Sequence, residues 1–278
     1  MSARAWLVAI AALGPGCLIK PDRVALDSDG GVDAAPDGSS TTLVPRVIAN
    51  AYFASGFTPS PGMTALGYAV PTTGVNNGDL LLFIANVDNG SQTVWPGAVG
   101  PGFHQLVQQY FGSDGQTVDV SWKIADNEPA AYTGSYGAGV GSSAATITLL
   151  AIAGADPTNP IHAFVPELAP SPTTPVAALS PGVTTTVPGC TLIYAAGADW
   201  LQQTGAYAAM LPADLTELAS FGDVGGAAFD WTTQVVAYRG LPAIGGSAPI
   251  AATLVGTHNM TPVAGHAWTV AIAVAPAP

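Results

Sequence analysis

Two pairs of carboxylates stand close enough in the sequence to suggest acid–base work: Asp126 with Glu128, and Asp214 with Glu217. A glycosidase needs such a pair, one acid to protonate the leaving oxygen and one to attack or to activate water. Both pairs sit beside Pro in turn contexts (Asp126-Asn127-Glu128-Pro129, Pro212-Ala213-Asp214), where a carboxylate more often caps backbone N–H groups. The four histidines, His104, His162, His258 and His266, are scattered, and none forms the i,i+4 pair with Glu that binds zinc on a helix. His258 and His266 could meet across a hairpin, yet they read more simply as strand-end residues. There is no Gly-x-Ser-x-Gly elbow for a hydrolase serine. Gly137-Ala138-Gly139-Val140-Gly141 lacks the third Gly and the following helix of a nucleotide loop. The expectation is therefore no catalytic residue, no metal and no cofactor, with a hydrolase built on scattered carboxylates and acting on polysaccharide as the alternative.

Binding chemistry is better represented. Trp95 sits in a Pro/Gly-rich stretch, and Asp199-Trp200-Leu201-Gln202 follows an apolar run. Indole stacking with Asp and amide contacts is what a sugar site uses. Trp95, Asp199, Trp200 and Gln202 are the candidate ligand-binding residues.

The elements that must position these residues are strands. Hydrophobic residues make up 49% of the chain and charged residues 9%, with 33 Gly and 24 Pro. Helices of soluble proteins carry Glu/Lys/Arg faces, which such a composition cannot supply, whereas turn-rich β-structure fits it. Asn77-Gly78-Asp79 opens into Leu80 to Val87, apolar on both faces over Leu80 to Ala85, which marks a central strand covered on both sides or one buried under loops. Thr117 to Ile124 alternates, with Val118, Val120, Trp122 and Ile124 opposite Thr117, Asp119, Ser121 and Lys123; that is the pattern of a half-buried antiparallel strand. Near the C-terminus Trp268, Val270, Ile272 and Val274 oppose Ala267, Thr269, Ala271, Ala273 and Ala275, large against small as packed sheets require. Residues 166 to 175 read as a Pro-rich crossing.

The chain also echoes itself. Gly78-Asp79-Leu80 returns 111 positions later as Gly189-Cys190-Thr191, and the landmarks around Phe103, Trp122 and Ala145 recur at similar offsets. The expected architecture is an all-β antiparallel sandwich over residues 46–278 with homologous halves at about 46–166 and 172–278, and the spacing fits either one duplicated jelly roll or two small sandwiches in tandem.

The N-terminus points to export. Arg4 precedes the apolar run Trp6 to Leu13, shorter than the roughly 20 residues of a spanning helix. Leu13-Gly14-Pro15-Gly16-Cys17 looks like a bacterial lipobox, which makes 1–16 a signal peptide and Cys17 the lipidated residue. Residues 17–45, rich in Asp, Gly, Ser, Ala and Pro, read as a disordered tether. Asp27-Ser28-Asp29-Gly30 begins like a calcium loop, but Gly38 stands where the twelfth-position Glu belongs. Net charge is −12; past the tether thirteen acidic residues face only Arg46, Lys123 and Arg239. With no basic patch, nucleic acid is not an expected partner.

Together the signal, Gly16-Cys17 and the Asp/Gly-rich tail resemble myxobacterial surface lipoproteins. Gly78-Asp79-Leu80-Leu81-Leu82, Pro101-Gly102-Phe103, Trp122-Lys123-Ile124-Ala125 with Glu128-Pro129, and Ile152-Ala153-Gly154-Ala155-Asp156 with Asn159-Pro160-Ile161 are similar to a widespread extracellular jelly-roll β-sandwich family found in phage structural proteins and in secreted or lipid-anchored bacterial proteins. The resemblance implies one sandwich unit containing both halves and carries over no catalytic residue. The functional expectation is a non-enzymatic lipoprotein of the outer membrane or cell surface, otherwise secreted, serving adhesion, carbohydrate binding or envelope structure. Its partners would be a membrane through the anchor and a glycan or surface protein.

Overall fold

The computed structural model describes residues 42–55, 65–88, 102–111, 116–137, 143–170, 176–200, 207–221, 231–256 and 266–278. The described residues form antiparallel strands and no helix. The first half holds β1 (Pro45–Ser55), β2 (Ala65–Pro71), β3 (Leu80–Asp88), β4 (His104–Phe111), β5 (Gln116–Ile124), β6 (Ala131–Gly137) and β7 (Ser143–Ile152). The second holds β8 (Ile161–Pro170), β9 (Val176–Ser180), β10 (Thr184–Thr185), β11 (Cys190–Trp200), β12 (Tyr207–Met210), β13 (Thr216–Phe221), β14 (Trp231–Leu241), β15 (Gly245–Gly246), β16 (Ile250–Gly256) and β17 (His266–Val274).

These strands stack in four layers. The five-stranded sheet β1-β7-β3-β5-β4 lies between the outer pair β2-β6 and a second five-stranded sheet, β13-β14-β11-β17-β8, which the outer sheet β12-β16-β9 covers in turn. The apolar run at Leu80 makes sense in this setting. Leu81, Phe83 and Ala85 face the outer core, while Leu80, Leu82 and Ile84 face the core between the two large sheets. Trp268, Val270, Ile272 and Val274 enter that same central core, and Ala271 and Ala273 turn to the second outer core. Each half therefore has its own outer layer, and the two are joined by a shared core instead of merging into one two-sheet roll.

Among the described residues the two halves share most of their order of connections, and the second adds an outer strand, β12, between β11 and β13. In each, the chain leaves the large sheet for the outer layer after its first strand and again before its last. The registers correspond as well. Leu80 pairs with Ile124 and Ile152, and Thr191, its counterpart in the echo, pairs with Gly240 and Val274. The four edge strands of the large sheets each carry a one-residue bulge, at Ile48, Leu106, His162 and Leu218.

Three expectations need correction. The polar row Thr117, Asp119 and Ser121 is buried, because the outer pair β2-β6 covers the face that alternation assigned to water. Residues up to Pro170 are not a crossing: Ile161 to Pro170 is β8, paired with β17, so a boundary at 166 would cut a strand of the second sheet. The tether also ends before residue 45, since Leu43 is already buried in the central core and its carbonyl accepts a 2.8 Å bond from Thr191 Oγ1.

Candidate functional site

The described residues around Gly78-Asp79, Phe103 and Lys123 with Glu128 lie at one end of the first half, where they take packing or pairing roles. Gly78 adopts φ 89°, a conformation cheap only for Gly, and delivers Asp79 to the start of β3. Asp79 Oδ2 accepts the Asn76 N–H at 2.9 Å and meets Arg46 Nη2 at 2.7 Å. At the matching position Cys190 keeps the turn with opposite polarity: its Sγ donates to Val187 O at 3.3 Å. By register, Arg46 opposite Ala151 corresponds to Ala163 opposite Ala273, so the matching position of the second half carries no cation to balance an acid. Burial raises the Cys190 thiol pKa, which suppresses the nucleophilic thiolate.

Lys123 joins both oxygens of Glu128 at 2.7 and 2.9 Å. Burial pushes the Glu128 carboxyl up, but hydrogen bonds from Lys123, Tyr132 and the Asp126 N–H outweigh it and hold the group below its ordinary value. Phe103 packs edge-on against Tyr132 and Phe83, with the Lys123 ammonium 5.6 Å from its ring centroid. The second candidate acid, Asp214, is paired with Arg239. Among the described residues, then, Asp126, Glu128 and Asp214 are committed to structural contacts, while Glu217 is exposed on β13. His104 stacks on Trp122 at 4.6 Å, and His162 Nε2 accepts the Thr186 N–H at 2.9 Å. His266 opens β17, and His258 lies outside the described residues. No group of three or more His, Cys, Asp or Glu among the described residues is placed to hold a metal ion.

The opposite end differs in kind. The strand ends flanking residues 56–64, 112–115, 138–142, 171–175, 201–206, 222–230 and 257–265 lie there, as does the end of β3 that precedes residues 89–101, whereas β4 after them starts at the first end, where His104 pairs with Trp122. Of the sequence-derived candidates, Trp95 and Gln202 lie outside the described residues, as does Cys17. Asp199 and Trp200 are the last two positions of β11, not part of a loop; the register sets them opposite Thr232 and Trp231.

Beneath this end the central core turns polar. Asn86 Nδ2 crosses from β3 to the carbonyls of Ala198 and Thr233 at 3.2 and 3.1 Å. Gln234 Nε2 crosses back to Thr148 Oγ1 at 2.8 Å and Ile84 O at 3.4 Å. Gln116 donates to Asn86 Oδ1 at 2.9 Å. Gln116 Oε1 and Trp268 Nε1 are left wholly buried without a hydrogen-bond partner, one an acceptor and one a donor. This polar seam was missed in the sequence, although Asn86 interrupting an apolar run was a visible signal. No family model, curated protein or solved structure matches the chain.

The described residues also hold a buried acid outside both ends. Asp119 is 2% exposed, and burial raises its pKa to about 6, partly offset by a 2.8 Å bond from Ser121. Burial and then the Asp119 charge push the nearby Tyr68 phenol up to about 12.

Proposed function

We propose that this protein is a non-enzymatic β-sandwich module, anchored through Cys17 to a bacterial outer membrane or cell surface, that engages a glycan or surface protein at the end carrying Trp200. The observation that carries this reading is the placement of the ends. The chain enters β1 beside Leu43, at the end where Arg46 meets Asp79, so a tether would attach there. Strand β3 runs nine residues from that end, about 30 Å at the usual rise, to the end where eight connections begin. A tethered module would point those connections away from the membrane. Segments at strand ends carry binding residues on a rigid scaffold in many folds. The excess of acids over bases supports solubility and disfavours nucleic acid.

A glycan array and a cell-adhesion assay with Trp95→Ala and Trp200→Ala test the binding. Loss of binding in either variant supports it, and no glycan signal with both variants silent in adhesion overturns it. Labelling with a palmitate analogue tests the anchor: label that persists in Cys17→Ala removes it.

A further inference from the structure

Trp200 is not the only aromatic residue that the strands bring to its end of the molecule. It closes β11, and the β11-β14 register sets it directly opposite Trp231, the first residue of β14. Tyr207 opens β12, paired with Gly256 at the end of β16. The three residues flank residues 201–206 and 222–230, so all of them stand at the strand-end surface.

Alternation then places the three on one core. Ala198 of β11 and Val235 of β14 belong to the core between the second large sheet and its outer sheet, and Ala209 of β12 packs against that core from the outer sheet. Alternate residues of a strand share a face, and neither the β11-β14 nor the β12-β16 register is interrupted by a bulge. Trp200 follows Ala198 in that alternation, Tyr207 precedes Ala209, and Trp231 precedes Thr233 and Val235. The positions therefore flank one end of the same core, two from the large sheet and one from its cover. Asp199 falls on the other face of β11, with Ile193 and Ala195 of the central core. The candidate acid and the candidate indole do not share a face.

The repeated fold does not itself demand aromatic residues here. Leu80 pairs with Ile124 as Thr191 pairs with Gly240. Counting on from those pairs in the sequence, the first half carries Asn89 where the second has Trp200, and Gly115 where it has Trp231. The neighbouring positions on the shared face, Ala198, Thr233 and Ala209, carry no charge. Aromatic residues in an uncharged setting suit the C–H face of a neutral sugar ring, which packs flat against indole and phenol.

We propose that Trp200, Tyr207 and Trp231 together form a stacking surface for neutral pyranose rings. The proposal rests on the reading of the Trp200 end as the binding end and narrows it to one ligand class. Strands hold the three residues at fixed spacing, and Asp199 takes no part.

The test uses the full chain with neutral oligosaccharides of glucose, mannose and galactose, and with acidic uronate oligosaccharides, binding being read by calorimetry. The parent binds at least one neutral series and binds it more tightly than the uronates. Trp200→Leu, Trp231→Leu and Tyr207→Leu fill the end of the core without stacking, and each binds that series about tenfold more weakly. Asp199→Asn binds as the parent does. A second measurement needs no variant to fold: N-bromosuccinimide oxidises Trp200 and Trp231 in the free parent, and the bound oligosaccharide protects both, as located by peptide mapping. Full affinity in Trp231→Leu and Tyr207→Leu, with binding lost in Trp200→Leu, overturns the proposal and leaves the binding end at Trp200 standing. A parent that adheres to a surface protein and binds no neutral oligosaccharide does the same. Resistance of Trp231 to oxidation in the free protein, uronate binding as tight as neutral binding, or loss of affinity in Asp199→Asn also overturns it.

Discussion

Asn86 and Gln234 exchange hydrogen bonds across the central core, each amide reaching main-chain or hydroxyl oxygen of the other half. Apolar side chains alone would let two flat sheets slide, whereas this exchange fixes one register between them. Replacing Asn86 by Ala leaves two buried carbonyls and the Gln116 amide short of a partner. Such groups cost about 1–3 kcal/mol each when orphaned, so a total loss near 3 kcal/mol is expected in urea unfolding. A double-mutant cycle with Gln234→Leu should return a coupling of about 1 kcal/mol or more.

Asp119 makes stability depend on pH in a stated direction. Its folded pKa, about 6, lies above the ordinary carboxyl value of about 3.9, so its contribution is fully present below that ordinary value. That contribution falls away as pH rises through about 6, a loss of roughly 3 kcal/mol at most. Asp119→Asn should flatten this part of the profile and match or exceed the parent in stability at pH 7.5. Thermal melts of both proteins between pH 4 and 7.5 read the difference.

Lys123 is expected to be the costliest surface-facing cation to remove. Glu128 is 5% exposed, so Lys123→Met strands a nearly buried acid. Breaking such a pair costs about 3–5 kcal/mol, reduced here because the Tyr132 hydroxyl and the Asp126 N–H still reach the carboxylate. A folded pKa held below its ordinary value gives stability present at neutral pH and lost on acidification, and the variant should lose that acid dependence. Denaturant titrations at pH 4 and pH 7 separate the two proteins.

Gly197 is required by contact and not by turn geometry. A Cβ there would stand 2.5 Å from Thr233 O and 2.7 Å from the Trp268 ring. Strand propensity favours Ala over Gly, yet Gly197→Ala should destabilise by about 1–3 kcal/mol, since a strand carbonyl and a wholly buried indole have little room to yield. Near-ultraviolet circular dichroism should register the displaced Trp268.

Periodicity served this sequence well wherever burial tracks residue type. The run at Leu80 and the large-against-small alternation at Trp268 identified strands buried on both faces, and the observed cores agree. It failed at Thr117, Asp119 and Ser121, because what covers a face depends on strands distant in sequence, here β2 and β6. Pro166 misled for a related reason: an edge strand tolerates Pro where its N–H points outward, and β8 is an edge. Asp199 and Trp200 close β11, and Asn86 stood out as a break in an apolar run, but its partners in the second half were not legible, since Asn86 and Gln234 are 148 positions apart.

The four bulged edges bear on how many copies can share a surface. Molecules held on one membrane, as the proposed anchor would hold them, meet side by side at local concentrations far above those in solution. Flat edges under such crowding would zip into continuous ribbons, and the first pairing would template the next. An extra residue at Ile48, Leu106, His162 or Leu218 breaks the hydrogen-bond ladder before a neighbour can match it. Under that proposal a dense coat of this protein would behave as separate particles and not as a woven sheet.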